Sequence, residues 1–201
     1  SNGFVEKSAI DAEIKKEFKS RYPKKDADVV ITNLKAMMSW VASTDTTVEG
    51  LTETQIQERL DKFRNEFDNY FDRDSTFLYY LFTEMFLMVD SRAKNAFPTR
   101  FNADGKWCWL PYDMDTALGI DNGGRLMFSY NLEDTDLVDG HYVYNGQESV
   151  IWNNLRMCFS SELAEYYRSN IRNNDRFNYE SIEKQFEDHQ YKWPVSMWNE
   201  D

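Results

Sequence analysis

The stretch that most constrains this chain runs from Asp90 to Gly119, DSRAKNAFPTRFNADGKWCWLPYDMDTALG, between segments of helical periodicity. It contains two strand-like runs, 96–101 and 106–112, joined by Asn102-Ala103-Asp104-Gly105. An Asp-Gly pair between such runs signals a β-hairpin. Period-two alternation along the second run puts Trp107, Trp109 and Asp113 on one face, provided the pleat continues past Pro111. Cys108, Leu110 and Tyr112 take the other face. Carboxylates bracket the hairpin: Asp90, with Asn95 soon after it, comes before, and Asp113 and Asp115 come after. If the hairpin returns the later pair to the foot of the preceding helix, their oxygens share one pocket within reach of a single cation. Two like charges so placed raise each other's pKa unless a cation offsets them. Taken singly, the pair reads equally as a turn cap, and Asp90 as a solvated loop residue.

The rest of the chain reads as helical scaffolding. Val5, Ile10, Ile14 and Phe18 recur at helical spacing over 5–21, and Pro23 ends that helix. Asp26 is a candidate N-cap for a helix over 27–42, rich in aliphatic residues and Trp40. Thr52 and Gln55 form a capping-box pattern that opens a helix through Tyr70, with Ile56, Leu60, Phe63 and Phe67 on one stripe. Asp74 or Ser75 caps a fourth helix, apolar nearly all round through Val89, which marks it as central and buried. Glu84 inside it needs a partner, because a buried lone carboxylate is costly. Asp90, at the end of that run, meets the negative end of the helix dipole and calls for a nearby cation. The Gly-, Asn- and Asp-rich segment 121–146 reads as a long loop. Helical spacing returns over 150–171, Asn178 or Ser181 starts a short last helix, and Trp193, Met197 and Trp198 dock on the body. The fold class expected is α+β, mostly α-helical with one β-hairpin, in a single domain over 1–201, Ser1-Asn2 reading as a scar of tag removal.

Composition narrows the function classes. With 41% hydrophobic and 16% aromatic residues, the chain is too apolar to be disordered. A net charge of −12, from 35 acidic against 23 basic residues, argues against nucleic-acid or anionic-membrane partners. The apolar run 77–89 is too short to span a bilayer. Two cysteines without ligand spacing and two histidines make a zinc site or a Ser-His-Asp triad improbable.

An Asp, an Asn shortly after it, a hairpin and a further carboxylate follow the order of the protein-kinase catalytic loop and its metal-binding Asp. The wording resembles the spore-coat-protein-H (CotH) kinase-like family. The residues that carry the resemblance are FDRDSTFLYYLFTEMF, Asp90, Lys94-Asn95, Gly105-Lys106-Trp107, and Tyr112-Asp113-Met114-Asp115 with Gly119. Trp152, Leu155, Phe159 and Tyr167-Arg168 continue it downstream, so that it covers about residues 20–175.

The resemblance implies an atypical protein-kinase-like C-terminal lobe that uses Mg²⁺ (or Mn²⁺) and ATP to phosphorylate Ser of a protein. On it, Asp90 is the catalytic carboxylate and Arg92 the cation facing the transferred phosphate. Lys94 contacts the nucleotide, Asn95 and Asp113 ligate the metal, and Asp115 assists. Nothing upstream of Asp90 resembles the family's phosphate-covering loop or its strand-borne Lys. The expectation is therefore a fragment whose nucleotide-binding N-lobe lies elsewhere in a longer chain, inactive alone. Two other readings compete. One is a non-catalytic structural or attachment domain of a spore coat, cell surface or phage particle, in a bacterial or phage setting. The other is a carbohydrate-binding module built on Trp107, Trp109 and the tyrosines of 121–146.

Overall fold

The computed structural model describes residues 27–88, 91–92, 95–102, 104–120, 123–124, 137–138, 141–142, 149–190 and 192. The helix expected over 5–21, the Asp26 cap and the terminal Trp193, Met197 and Trp198 lie outside them, as do Asp90 and Lys94. The chain divides into two compact units, Ser1–Ser160 and Ser161–Asp201. No helix among the described residues is long and apolar enough to cross a membrane.

The first unit opens with α1 (Ala27–Ser43), α2 (Glu53–Tyr70) and α3 (Arg73–Met85). α2 starts as its sequence dictates. The Thr52 side chain accepts from the Gln55 backbone N–H, and the Gln55 side chain accepts from the Thr52 N–H. α3 starts earlier than expected: Asp72, rather than Asp74 or Ser75, is the cap, accepting from the Ser75 N–H at 2.8 Å. The cause is tertiary. Phe71 is held extended by a bridge to Trp107, with the Trp107 N–H donating to the Tyr70 carbonyl at 2.7 Å and the Asp72 N–H donating to the Trp107 carbonyl at 2.8 Å. The helix can begin only beyond that clamp.

α3 also ends short of Val89, so Asp90 does not directly follow its last turn. The Leu87 N–H donates to the Glu84 carbonyl at 3.2 Å and the Met88 N–H to the Thr83 carbonyl at 3.0 Å. That is a Schellman ending, with Leu87 at φ +45° in the place glycine usually takes. The helix is not buried all round: Leu78 is exposed, while Thr76, Phe77, Tyr79, Tyr80 and Thr83 face inward.

β1 (Phe97–Thr99) and β2 (Cys108–Leu110) form the expected antiparallel hairpin, with Phe97 opposite Leu110, Pro98 opposite Trp109 and Thr99 opposite Cys108. Its connection is not a tight Asp-Gly turn. The Asp104 N–H bonds the Asn102 side chain at 3.1 Å and the Gly105 N–H bonds the Asn102 carbonyl at 3.3 Å. This Asn-based turn leaves no room for a side chain at Gly105, where an added Cβ would meet Asn102 Oδ1 at 3.0 Å. Alternation holds through the strand, with Trp107 and Trp109 buried and Leu110 exposed, and it stops before Pro111. Asp113 is exposed at φ +51°, so it does not continue the Trp107–Trp109 face. A second, two-residue ladder joins β3 (Leu137–Val138) to β4 (His141–Tyr142) within the stretch read as loop.

Aromatic rings fill the first unit. Trp40 of α1 stacks on Phe63 at 5.1 Å and on Tyr70 at 4.5 Å. Phe71 stacks on Trp109 at 5.7 Å, and Trp109 meets Tyr79 at 5.7 Å and Trp152 at 4.5 Å. Each such pair contributes roughly 0.5–1.5 kcal/mol beyond its area burial. Trp107 and Trp109 thus belong to the interior and are not free for a glycan-binding face, while the tyrosines of 121–146 to which that reading also pointed have no described side chains. Trp152 lies on α4 (Val150–Tyr166), where Phe159 departs from helical geometry at φ −124° and ψ 22°. Its ring is fully buried among Phe63, Phe67 and Phe77, with the Arg64 and Arg73 guanidinium groups about its faces.

The second unit holds a π-helical turn (Tyr167–Arg172), a 3₁₀ turn (Asp175–Phe177) and α5 (Tyr179–Gln190). The Asn178 side chain accepts from the Ser181 N–H at 2.8 Å, as its candidacy for the cap required.

After β2 the chain turns back to the end of α3. The Leu118 N–H donates to the Phe86 carbonyl at 2.6 Å and the Gly119 N–H to the Leu87 carbonyl at 2.9 Å. Leu118 holds φ +59° with its side chain largely exposed. A left-handed L-residue costs roughly 1–2 kcal/mol, against about 0.5–1 kcal/mol for the extra unfolded-state freedom of glycine. Leu118→Gly is therefore expected to raise the unfolding free energy by roughly 0.5 kcal/mol, measured by urea denaturation; a loss would show that the Leu118 side chain matters more than its backbone.

Candidate functional site

The hydrogen bonds from Leu118 and Gly119 deliver the acidic loop to the exit of α3, as the sequence reading requires. Across the same junction, Asn95 Nδ2 donates to the Asp113 carbonyl at 3.2 Å and lies 3.5 Å from Asp113 Oδ2. Asn95 is 5% exposed, whereas Asp113 and Asp115 both stand in solvent. Asp115 makes no hydrogen bond or ion pair with another described residue. Asp113 sits at φ +51°, a left-handed conformation that Asp tolerates better than most residues. That conformation takes Asp113 off the pleat of β2, and its carboxylate is exposed.

The loop after α3 is held by its backbone. The buried Tyr79 hydroxyl donates to the Ser91 carbonyl, and Trp152 Nε1 donates to the Arg92 carbonyl at 2.9 Å. Burial pushes the Tyr79 phenol up to about 12, the neighbouring Arg92 charge opposing the shift, so the hydroxyl remains a donor across the ordinary pH range. These two donors hold the Ser91 and Arg92 carbonyls.

Arg92 is placed differently from the role its position in the sequence implied. Its side chain is 3% exposed, ion-paired with Glu84 of α3, and its guanidinium lies over the Tyr80 ring at 5.0 Å. It faces the interior, and it is the partner that Glu84 required. Asp90 and Lys94 are outside the described residues, so the structure brings together Asn95 and Asp113 from the expected set and turns Arg92 inward.

The oxygen chemistry suits a hard cation. Among the described residues no three or more His, Cys, Asp or Glu gather as a metal site. Asn95 and the two carboxylates nonetheless supply amide and carboxylate oxygens, the ligands that Mg²⁺ takes one or two at a time while keeping its waters. A half-turn of the Asn95 amide, exchanging its hydrogen bond to the Asp113 carbonyl, would present the acceptor Oδ1 where Nδ2 now stands.

Sequence reasoning missed Tyr79 and Trp152 as site-supporting residues, while for Glu84 it required a partner, which Arg92 provides. Tyr79 and Trp152 lie at core positions of their helices, and periodicity treats them like Phe. The available signal is chemical: a buried Tyr or Trp brings a polar atom that needs a partner.

Two outcomes test this arrangement. Glu84→Leu deprives the buried Arg92 guanidinium of its carboxylate and should cost about 2 kcal/mol, less than for a fully buried pair because the Glu84 side chain is 36% exposed. The double variant Glu84→Leu/Arg92→Leu should cost less than either single one in the same urea titration. Because folding raises the Tyr79 value from 10.0 to about 12, its contribution is complete below pH 10 and is lost as pH rises toward 12. Wild-type stability should fall more steeply over that window than that of Tyr79→Phe, measured by denaturation at stepped pH.

A family model described as CotH kinase protein matches residues 7–194. No curated protein and no solved structure matches the chain. The match extends across both the helical scaffold and the acidic loop, and the chain belongs to the CotH kinase protein family.

Proposed function

We propose that this chain is the catalytic-lobe part of a CotH-type atypical kinase, which with Mg²⁺ (or Mn²⁺) and ATP transfers a phosphoryl group to Ser of a protein. The observation that carries the reading is the Asn95–Asp113 contact at the end of the fold-back. It joins a residue of the Asp90 loop to the acidic loop, although a complete hairpin separates them in sequence. Phosphoryl transfer asks the protein mainly for positioning and charge neutralisation, and both are what this junction offers.

In this reading Asp113 and Asn95 would hold the metal, with Asp115 assisting, and Lys94 would contact the nucleotide phosphates. Bound Mg²⁺ supplies neutralisation of phosphate charge. The acceptor hydroxyl gives its proton to Asp90 as its oxygen takes the phosphoryl group and ADP departs. Arg92, paired with Glu84, supports the loop from within, which leaves Lys94 as the loop's cation toward phosphate. Residues 27–88 are described as three helices, so the strand-borne Lys and phosphate-covering loop of a kinase belong to a segment outside 27–88. Without that partner lobe, catalysis by this part alone is poor.

The inward Arg92 favours a second reading, a non-catalytic structural or attachment domain that keeps the fold. Divalent-ion linkage separates the two. Mg²⁺ or Mn²⁺ at a hundred times its Kd should stabilise the protein by about 2.7 kcal/mol, seen as a rise in Tm that Asp113→Ala abolishes. No rise with either ion, in wild type and Asp113→Ala alike, would favour the non-catalytic reading.

A further inference from the structure

We infer that Trp152, together with Tyr79, is the positioning residue of the acidic site, an assignment that rests on the proposed divalent-ion role of Asn95 and Asp113. Consecutive carbonyls, Ser91 and Arg92, each receive a donor from a different helix, Tyr79 from α3 and Trp152 from α4. Trp152 is 2% exposed and Ser91 fully buried, so water does not compete for these bonds. Indole nitrogen only donates, and the stacking of Trp152 on Tyr79 at 5.9 Å and against Trp109 at 4.5 Å leaves the ring one orientation. The Ser91 hydroxyl has no hydrogen-bond partner among the described residues, so apart from the Arg92 side chain on Glu84 and Tyr80 the described hold on this segment is through its carbonyls. Asn95 lies three residues after Arg92 in the sequence, and its amide donates to the Asp113 carbonyl; holding the Ser91 and Arg92 carbonyls limits where that amide can reach.

Trp40 provides the contrast. It is equally buried at 4% exposure and equally stacked, yet its Nε1 has no hydrogen-bond partner among the described residues. Trp40 packs; Trp152 packs and holds the loop. Replacing each by Phe removes similar ring area, and only at Trp152 does it also remove the hold on a carbonyl.

The experiment compares Trp152→Phe with Trp40→Phe in the same chain, measuring thermal stability, amide exchange at Ser91, Arg92 and Asn95, and Kd for Mn²⁺ alone. Both variants should lose stability. Trp152→Phe should also speed exchange at those amides about tenfold and weaken Mn²⁺ about tenfold or more, the usual effect of losing a residue that orients metal ligands. Trp40→Phe should move neither. Tyr79→Phe, which deletes only a hydroxyl, should follow Trp152→Phe and serves if the latter does not fold. Equal exchange and equal Mn²⁺ affinity in the Trp152 and Trp40 variants would overturn the assignment. If wild type binds no Mn²⁺, the metal reading of Asn95 and Asp113 fails and the positioning role toward a metal falls with it. Exchange still decides separately whether Trp152 holds the loop.

Discussion

The way α3 stops is the constraint on which the rest of this structure depends. A helix ended by a Schellman motif turns its chain sharply and leaves the last carbonyls open to partners from elsewhere. Here Phe86 and Leu87 give their carbonyls to Leu118 and Gly119, so the helix exit and the acidic loop form one hydrogen-bonded junction. Leu87 and Leu118 both adopt left-handed backbone conformations at that junction. Such strain survives only where the surroundings over-determine the geometry, and it collects at functional sites. The surroundings here are the aromatic core on one side and the hairpin on the other.

That core does more than exclude water. Rings from α1, α2, α3, β2 and α4 meet in a continuous series from Trp40 through Phe71 and Trp109 to Trp152. At its last members the series turns polar, where the Tyr79 hydroxyl and the Trp152 indole nitrogen reach the loop carbonyls. Packing energy and site geometry are therefore coupled through the same side chains. The Arg92–Glu84 pair lies on this inner side too, which explains how a cation in the middle of a catalytic-loop pattern comes to be buried.

Much of the scaffold was legible from local chemistry. The capping box at Thr52 and Gln55, the helix through Tyr70, the Asn178 cap and the pairing of the two hairpin runs follow from side-chain and backbone rules that act within a few residues. That Trp107 and Trp109 share a face followed from alternation; that the face points inward was seen only in the structure. The errors share one origin. α3 starts at Asp72 because Trp107 clamps Phe71, and it ends before Val89 because the tertiary junction puts Leu87 where a glycine would ordinarily announce the stop. The Asn102 side chain reshapes the hairpin turn, and the left-handed Asp113 breaks the pleat.

The sequence by itself determined the helical scaffold, the hairpin, family membership and the order of Asp90, Asn95, Asp113 and Asp115, because periodicity, capping and motif order are local or linear properties. Tertiary structure alone decided that Asn95 touches Asp113, that Arg92 turns to Glu84 rather than to solvent, and that Tyr79 and Trp152 hold the loop. Each of these is a contact between residues on separate elements. Its existence depends on where α3 ends and how the chain returns to it, which no local pattern encodes.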